Sequence, residues 1–191
     1  MNRTFIAWTR TIHIYLTMAA LGLMLFFAVT GFTVNHEDWF GATTPRTRNV
    51  SGTTPVEMVK GEDKLRIVEH LRNQMGVSGA MTDFESDDEK FHVVFKGPGR
   101  VCEATIERAD GKTDVEIKSF GLAGRINDLH RGRDAGEPWR WVIDASALLI
   151  LLASITGVIL WFALPKRRKL GIVALVLGVA MSVAFYLALV P

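Results

Sequence analysis

Three runs without a charged side chain dominate the pattern along the chain. They are residues 14–34 ("IYLTMAALGLMLFFAVTGFTV"), 145–164 ("ASALLILLASITGVILWFAL") and 170–190 ("LGIVALVLGVAMSVAFYLALV"). Each is close to the roughly 20 apolar residues that a helix needs to cross about 30 Å of hydrocarbon, which predicts three membrane-spanning helices. Between the first two runs the period changes. "KLRIVEHLRNQM" (64–75) places Leu65, Val68, Leu71 and Met75 at helical spacing, so one amphipathic helix is expected there. Alternating segments follow. "KFHVVFK" (90–96) sets Phe91, Val93 and Phe95 on one face and His92 on the other, and "RVCEATIER" (100–108) groups Cys102, Ala104 and Ile106. "GPGR" (97–100) and "ADGK" (109–112) are turn signals, and "TDVEIKS" (113–119) alternates again. With "AMTDFE" (80–85), the expectation is one helix and three to four antiparallel strands. "GATTPRTRNVSGTTPVE" (41–57), rich in Thr, Pro, Gly and Ser, reads as a linker.

Charge adds an orientation. Arg3 and Arg10 precede the first run, and "KRRK" (166–169) fills the link between the second and third. Residues 35–140 carry sixteen Lys or Arg against nineteen Asp or Glu. Basic flanks of short loops stay in the cytoplasm, so the amino terminus and "KRRK" are expected inside and residues 35–140 outside. The overall charge of +2 then reflects topology and gives no reason to expect nucleic acid. The first run is longer than a signal-peptide core and no small-x-small site follows it, so it reads as an uncleaved anchor. Cys102 is the single cysteine, which rules out an internal disulfide. No internal sequence repeat is evident.

The helix followed by "FHVVFKGPGRVCEATIERADGKTDVEIKS" resembles the PepSY domain, a small extracytoplasmic α+β module. "RTIHIYLTMAALGLMLFFAVTGFTVNHEDW" resembles the first membrane helix of the PepSY-associated transmembrane family. "LHRGRDAGEPWRWVIDASALLILLASITGVILWFALPKRRKLG", with its Thr-Gly-x-x-Leu-Trp segment, resembles the second. The expected layout is a cytoplasmic N-terminus (1–10), a membrane helix (11–35), a linker (36–57) and a PepSY-like domain (58–119). An outer juxtamembrane segment (120–140), a membrane helix (141–164), a basic cytoplasmic loop (165–169) and a last membrane helix (170–190) complete it. The resemblance implies a bacterial inner membrane.

Histidines are the main chemical lead. His13 lies near the inner end of the first helix and His36 follows 23 residues later, ~35 Å along a straight helix. His130 precedes the second helix on the outer side, so topology brings His36 and His130 to one membrane face. Such a pair suits haem b, whose iron takes neutral imidazoles, and Arg131, Arg133 and Arg140 would meet its propionates. Trp139 and Trp141 would pack on the ring edge. Tryptophans and basic residues are equally ordinary interfacial anchors, and that alternative stays open. The family resemblance implies siderophore or ferric-iron reduction through haems held by membrane histidines, with His13 as an inner ligand. Residues 141–191 contain no histidine, so an inner haem needs a ligand from another subunit. The contrasting reading is a cofactor-free PepSY module that binds or regulates a periplasmic or membrane partner. A homodimer is compatible with either.

The remaining candidates have simpler readings. Asp144, with Arg140 one turn before it, is expected to complement the start of the second helix. His70 and His92 are expected at the surface, and Cys102 as a buried apolar thiol. The acidic "ESDDE" (85–89) lacks calcium-loop spacing. No protease site, phosphate-binding loop or dinucleotide fingerprint is present, which excludes a peptidase.

Overall fold

The computed structural model describes residues 2–61 and 63–191. The chain forms two compact units, one of Met1–Met24 with Asp144–Pro191, the other of Leu25–Ile143. The elements in order are α1 (Arg3–Asn35), β1 (Arg46–Thr53), α2 (Val56–Lys60), α3 (Lys64–Met75), β2 (Ala80–Ser86), β3 (Lys90–Gly97), β4 (Arg100–Glu107) and β5 (Lys112–Ser119). They continue with α4 (Gly121–Arg131), α5 (Glu137–Phe162) and α6 (Arg168–Leu189). Short 3-10 turns cover Glu37–Phe40 and Pro165–Arg167. Three stretches, Arg3–Asn35, Glu137–Phe162 and Pro165–Leu189, are long and apolar enough to cross a membrane. A helix satisfies all its backbone hydrogen bonds within itself, which is what a hydrocarbon environment requires.

In the first unit, α1 and α5 meet through small and polar side chains. Thr9 and Ala20 of α1 and Ser146 and Ala153 of α5 are buried. The hairpin from α5 into α6 turns on Trp161. A methyl group placed on Gly171 would lie 2.2 Å from the indole, so the ring occupies the space that the glycine leaves open. No residue of α6 is buried, and its Leu, Val and Phe side chains suit contact with lipid tails.

In the second unit, five antiparallel strands run in the order β1-β5-β4-β3-β2. This corrects the expected three or four. The fifth strand is β1, which lies within the presumed linker and pairs with β5 from Arg46↔Ser119 to Thr53↔Lys112. "RTRNVSGT" has no apolar face to signal a strand. Val50 packs against the core and Gly52 makes room for Met75, while main-chain pairing with β5 holds β1 along the sheet edge.

The core lies between α3 and one face of the sheet. Phe91, Val93 and Phe95 of β3, Cys102, Ala104 and Ile106 of β4, and Val115 and Ile117 of β5 are all buried. Alternation alone predicted the β3 and β4 faces. On α3 the buried stripe is Ile67, Val68, Leu71 and Met75. Leu65, assigned to that stripe from its spacing, is 71% exposed, and Ile67 takes the inward position. Burying each large side chain contributes ~1.5–3 kcal/mol. Asp63 caps α3 by accepting a hydrogen bond from the Arg66 amide at 3.2 Å.

The open face of the sheet is polar. Lys118 sits between Glu103 at 3.1 Å and Glu116 at 3.3 Å, and hydrogen bonds to Glu103 and then Glu116 raise its pKa. His92 lies on this face in an open groove with Glu103, Thr105 and Asp114. His70 is partly exposed, with Nε2 3.2 Å from the Thr53 carbonyl. Cys102 is a buried free thiol.

Residues 120–140 are more structured than a juxtamembrane connector. They contain all of α4 and the first turn of α5. The β3–β4 turn fixes α4. Gly99, at φ +67°, donates its amide to Asp128 Oδ2 at 2.8 Å, and its carbonyl accepts from the Phe120 amide at 2.9 Å. A Cβ at Gly99 would come within 2.6 Å of the Arg125 backbone nitrogen, so turn and helix touch main chain to main chain.

Candidate functional site

Within the second unit, α4 packs against the last turns of α1. Thr33 Oγ1 lies 2.8 Å from Asn127 Oδ1 and 2.8 Å from the Thr30 carbonyl, and both Thr33 and Asn127 are buried. Glu37, just after α1, holds Arg131 at 2.7 Å. The chain then turns at Gly132, and the Trp139 indole N–H donates back to the Leu129 carbonyl at 2.7 Å. These contacts fix the last turn of α4 and with it His130.

The His130 imidazole lies on α1 at "FAVTG" (27–31). Its Nδ1 is 2.7 Å from Thr30 Oγ1, its ring meets Phe27 edge-on with centroids 5.4 Å apart, and Trp139 packs on Phe26 at 6.0 Å. Gly31 lies beneath the ring, where an added Cβ would be 3.3 Å from Cε1. Thr30 Oγ1 also lies 2.7 Å from the Phe26 carbonyl, the usual i−4 back-bond of a helical threonine. With the hydroxyl proton on that carbonyl, Nδ1 carries the ring hydrogen and Nε2 keeps its lone pair. Nε2 has no hydrogen-bond partner among the described residues.

Within the first unit, His13 stands in the same arrangement. Its Nδ1 is 2.9 Å from Thr156 Oγ1, whose own proton goes to the Leu152 carbonyl at 2.8 Å. Gly157 lies beneath that ring, with an added Cβ again 3.3 Å from Cε1. With the threonine proton so placed, His13 likewise carries its hydrogen on Nδ1.

His36 has different surroundings. Its Nδ1 donates to the Phe32 carbonyl at 3.1 Å, and its ring is stacked on Phe32 at 4.5 Å and tilted against Trp39 at 4.1 Å. Gly31 under His130 and Phe32 under His36 are consecutive residues, so they project about 100° apart around the helix. The two histidines expected to act together therefore rest on different sides of α1 and share no contact partner.

The three arginines are already engaged. Arg131 pairs with Glu37 at 2.7 Å, Arg133 with Asp128 at 3.8 Å and Arg140 with Glu137 at 3.7 Å. The last two pairs are long, and their arginines are well exposed. Trp141, expected at a ring edge, is 70% exposed. Asp144 is not in the first turn of α5, which begins at Glu137, and Arg140 pairs with Glu137 instead. No cluster of three or more His, Cys, Asp or Glu side chains suited to a metal ion is found among the described residues.

Sequence reasoning overlooked the two Thr-Gly dipeptides, "VTGF" and "ITGV", as partners of the histidines. A hydroxyl followed by a residue without a side chain, placed inside an apolar helix, was the available signal.

Three apolar helices and an antiparallel α+β domain inserted between the first two define a membrane protein with a small polar domain. The chain belongs to the PepSY_TM-like family, whose profile matches residues 7–191. No curated protein and no solved structure matches it.

Proposed function

We propose that this PepSY-associated protein is a bacterial inner-membrane protein that binds haem b at its outer face and assists the reduction of ferric iron or ferric siderophores in the periplasm, each electron being supplied by a separate reduced one-electron donor. Arg3, Arg10 and "KRRK" (166–169) face the cytoplasm in this reading, and the sheet domain with α4 faces the periplasm. The observation that carries it is His130. Its ring is held at Thr30 and meets Phe27 edge-on, and its Nε2 has no hydrogen-bond partner among the described residues.

The residues present fit such a group. An oriented imidazole with its other nitrogen hydrogen-bonded is how metal-ligating histidines are ordinarily supported. Arg133 and Arg140, loosely paired and exposed, are the cations available to carboxylate side groups, whereas Arg131 is committed to Glu37. Bound haem would supply the one-electron Fe(III)/Fe(II) couple. The protein's own contribution is to orient the ligand, supply cations at the boundary and set the apolar Phe27 ring beside the imidazole.

The test is a reduced-minus-oxidised visible spectrum of the detergent-purified protein from haem-replete cells, repeated on His130→Ala. A haem b spectrum weakened by the substitution supports the reading. A colourless protein that also fails to take up added haemin refutes it.

One observation favours a second reading. All three arginines of the 129–144 stretch have carboxylate partners within the chain, as suits a structural junction that holds a cofactor-free module at the membrane. That reading predicts a partner protein that co-purifies with the full chain and is lost when residues 46–119 are deleted. An unchanged set of partners would exclude it.

A further inference from the structure

Arg100 stands where the strand pattern calls for an apolar side chain. The core face of β4 runs Ile106, Ala104, Cys102, and Arg100 is its next member. Its partner across the sheet is Ser119, which likewise continues the Val115 and Ile117 face of β5. Arg100 forms no ion pair among the described residues. Its Nε is shielded from solvent and has no hydrogen-bond partner there either. A shielded, unpaired donor is costly to a fold, so the position asks for an acceptor that the chain itself does not supply.

A cavity of about 530 Å³ opens beside it, between the β3–β4 turn, the end of β5 and the start of α4. Arg100 and Arg125 line it together with Ser78 and Ser119, and no Asp or Glu does. Arg125 is exposed and also has no ion pair among the described residues. Asp128, one turn further along α4, is taken by the Gly99 amide at 2.8 Å and by Arg133 at 3.8 Å. The first turn of α4 borders the cavity with no side-chain cap and no acidic residue. Free amides at a helix start favour an anion, and two guanidinium forks match the oxygens of a phosphate. The volume lies within the roughly 300–1,000 Å³ of small-molecule clefts, so the phosphate is expected to carry an organic group. Leu122, 76% exposed, offers that group an apolar contact.

The same helix places the cavity relative to α1. From Gly121 at the cavity to His130 on Thr30 is roughly 14 Å of helix. The uncharged run of α1 ends at residue 34, so the proposed topology sets the cavity within reach of lipid headgroups.

We infer that this cavity binds a phosphate group, that of an anionic phospholipid headgroup or of a free phosphate ester, with Arg100 and Arg125 as its cations. The inference is independent of the haem reading and stands or falls without it.

The experiment titrates glycerol 3-phosphate into the full-length protein in an uncharged detergent, followed by calorimetry. Beside it, native mass spectrometry counts the lipid retained from nanodiscs of phosphatidylcholine with and without phosphatidylglycerol. The expected result is saturable binding in at least one arm. Glycerol 3-phosphate binding without preferential retention of phosphatidylglycerol identifies a free ester as the source, and the reverse identifies a headgroup. Arg125→Gln should weaken the binding about tenfold, the lower end for a charged hydrogen bond, because Arg125 is exposed. Arg125→Lys should recover part of it, and Arg66→Gln, which removes the same charge from α3, should leave it unchanged. Arg100→Gln should weaken it further, and the exposed Arg125 variants carry the test if that protein fails to fold. Binding in neither arm overturns the inference. So does binding that Arg125→Gln leaves undiminished, or sodium sulfate binding as tightly as the ester, which would mean an adventitious ion only.

Discussion

Replacing Thr30 by valine tests the arrangement at His130 most directly. Valine has nearly the shape of threonine, so the packing of a residue only 3% exposed is kept while the hydroxyl is lost. Two hydrogen bonds go with it. The first is the back-bond to the Phe26 carbonyl, which is nearly neutral because that carbonyl already lies within the helix ladder. The second is the 2.7 Å contact with His130 Nδ1, whose loss leaves a half-buried imidazole N–H with no acceptor. An unsatisfied buried donor costs ~1–3 kcal/mol, and Gly31 and Phe27 leave the ring little room to turn toward water. The expected result is a destabilisation in that range, read from tryptophan-fluorescence unfolding in detergent, where Trp139 reports on the junction. It should be accompanied by a change in the nitrogen chemical shifts that report the His130 tautomer. Thr30→Ser restores the hydroxyl and should recover both. If Thr30→Val unfolds like the wild type and the His130 shifts do not move, Thr30 does not orient the ring and the reasoning fails.

Three further outcomes follow from the fold. Gly99→Ala should loosen α4 by forcing a side chain into a left-handed backbone position, at about 1–2 kcal/mol, and against the Arg125 backbone 2.6 Å away; faster amide exchange over residues 121–131 would show it, and unchanged exchange would contradict it. Phe95→Ala should cost ~3–5 kcal/mol by opening a cavity in a core where Phe95 is fully buried, measured by denaturant unfolding; a loss well under that range would place the core elsewhere. Lys118 has its pKa raised by Glu103 and Glu116, so its contribution is fully present below the unfolded lysine pKa of about 10.4 and is lost as pH rises through the folded value. Lys118→Met should therefore lower stability by less than ~1 kcal/mol at pH 7, and the gap to wild type should close at strongly alkaline pH; a gap that widens there would reverse the sign of the argument.

The membrane helices were legible in the residues themselves. Their cause is local, since a run of apolar side chains long enough to cross hydrocarbon leaves the backbone no alternative to self-satisfied hydrogen bonds. The buried faces of β3 and β4 were legible for a similar reason, because alternation places Phe91, Val93 and Phe95 together whatever lies above them. Other features depended on neighbours distant in sequence. β1 is polar along its length and becomes a strand only because β5 offers it an edge. Ile67 displaces Leu65 from the α3 stripe because the sheet selects which side of the helix is covered. The histidines show this most clearly. His130 finds Thr30 across 100 residues and His13 finds Thr156 across 143, and no local periodicity encodes a meeting of that kind. The sequence alone supplied the imidazoles and brought His36 and His130 to one expected membrane face. Tertiary packing decided which hydroxyl each ring meets and which nitrogen it leaves free, because a side chain's hydrogen-bond partner is set by what the folded chain places within 3 Å of it.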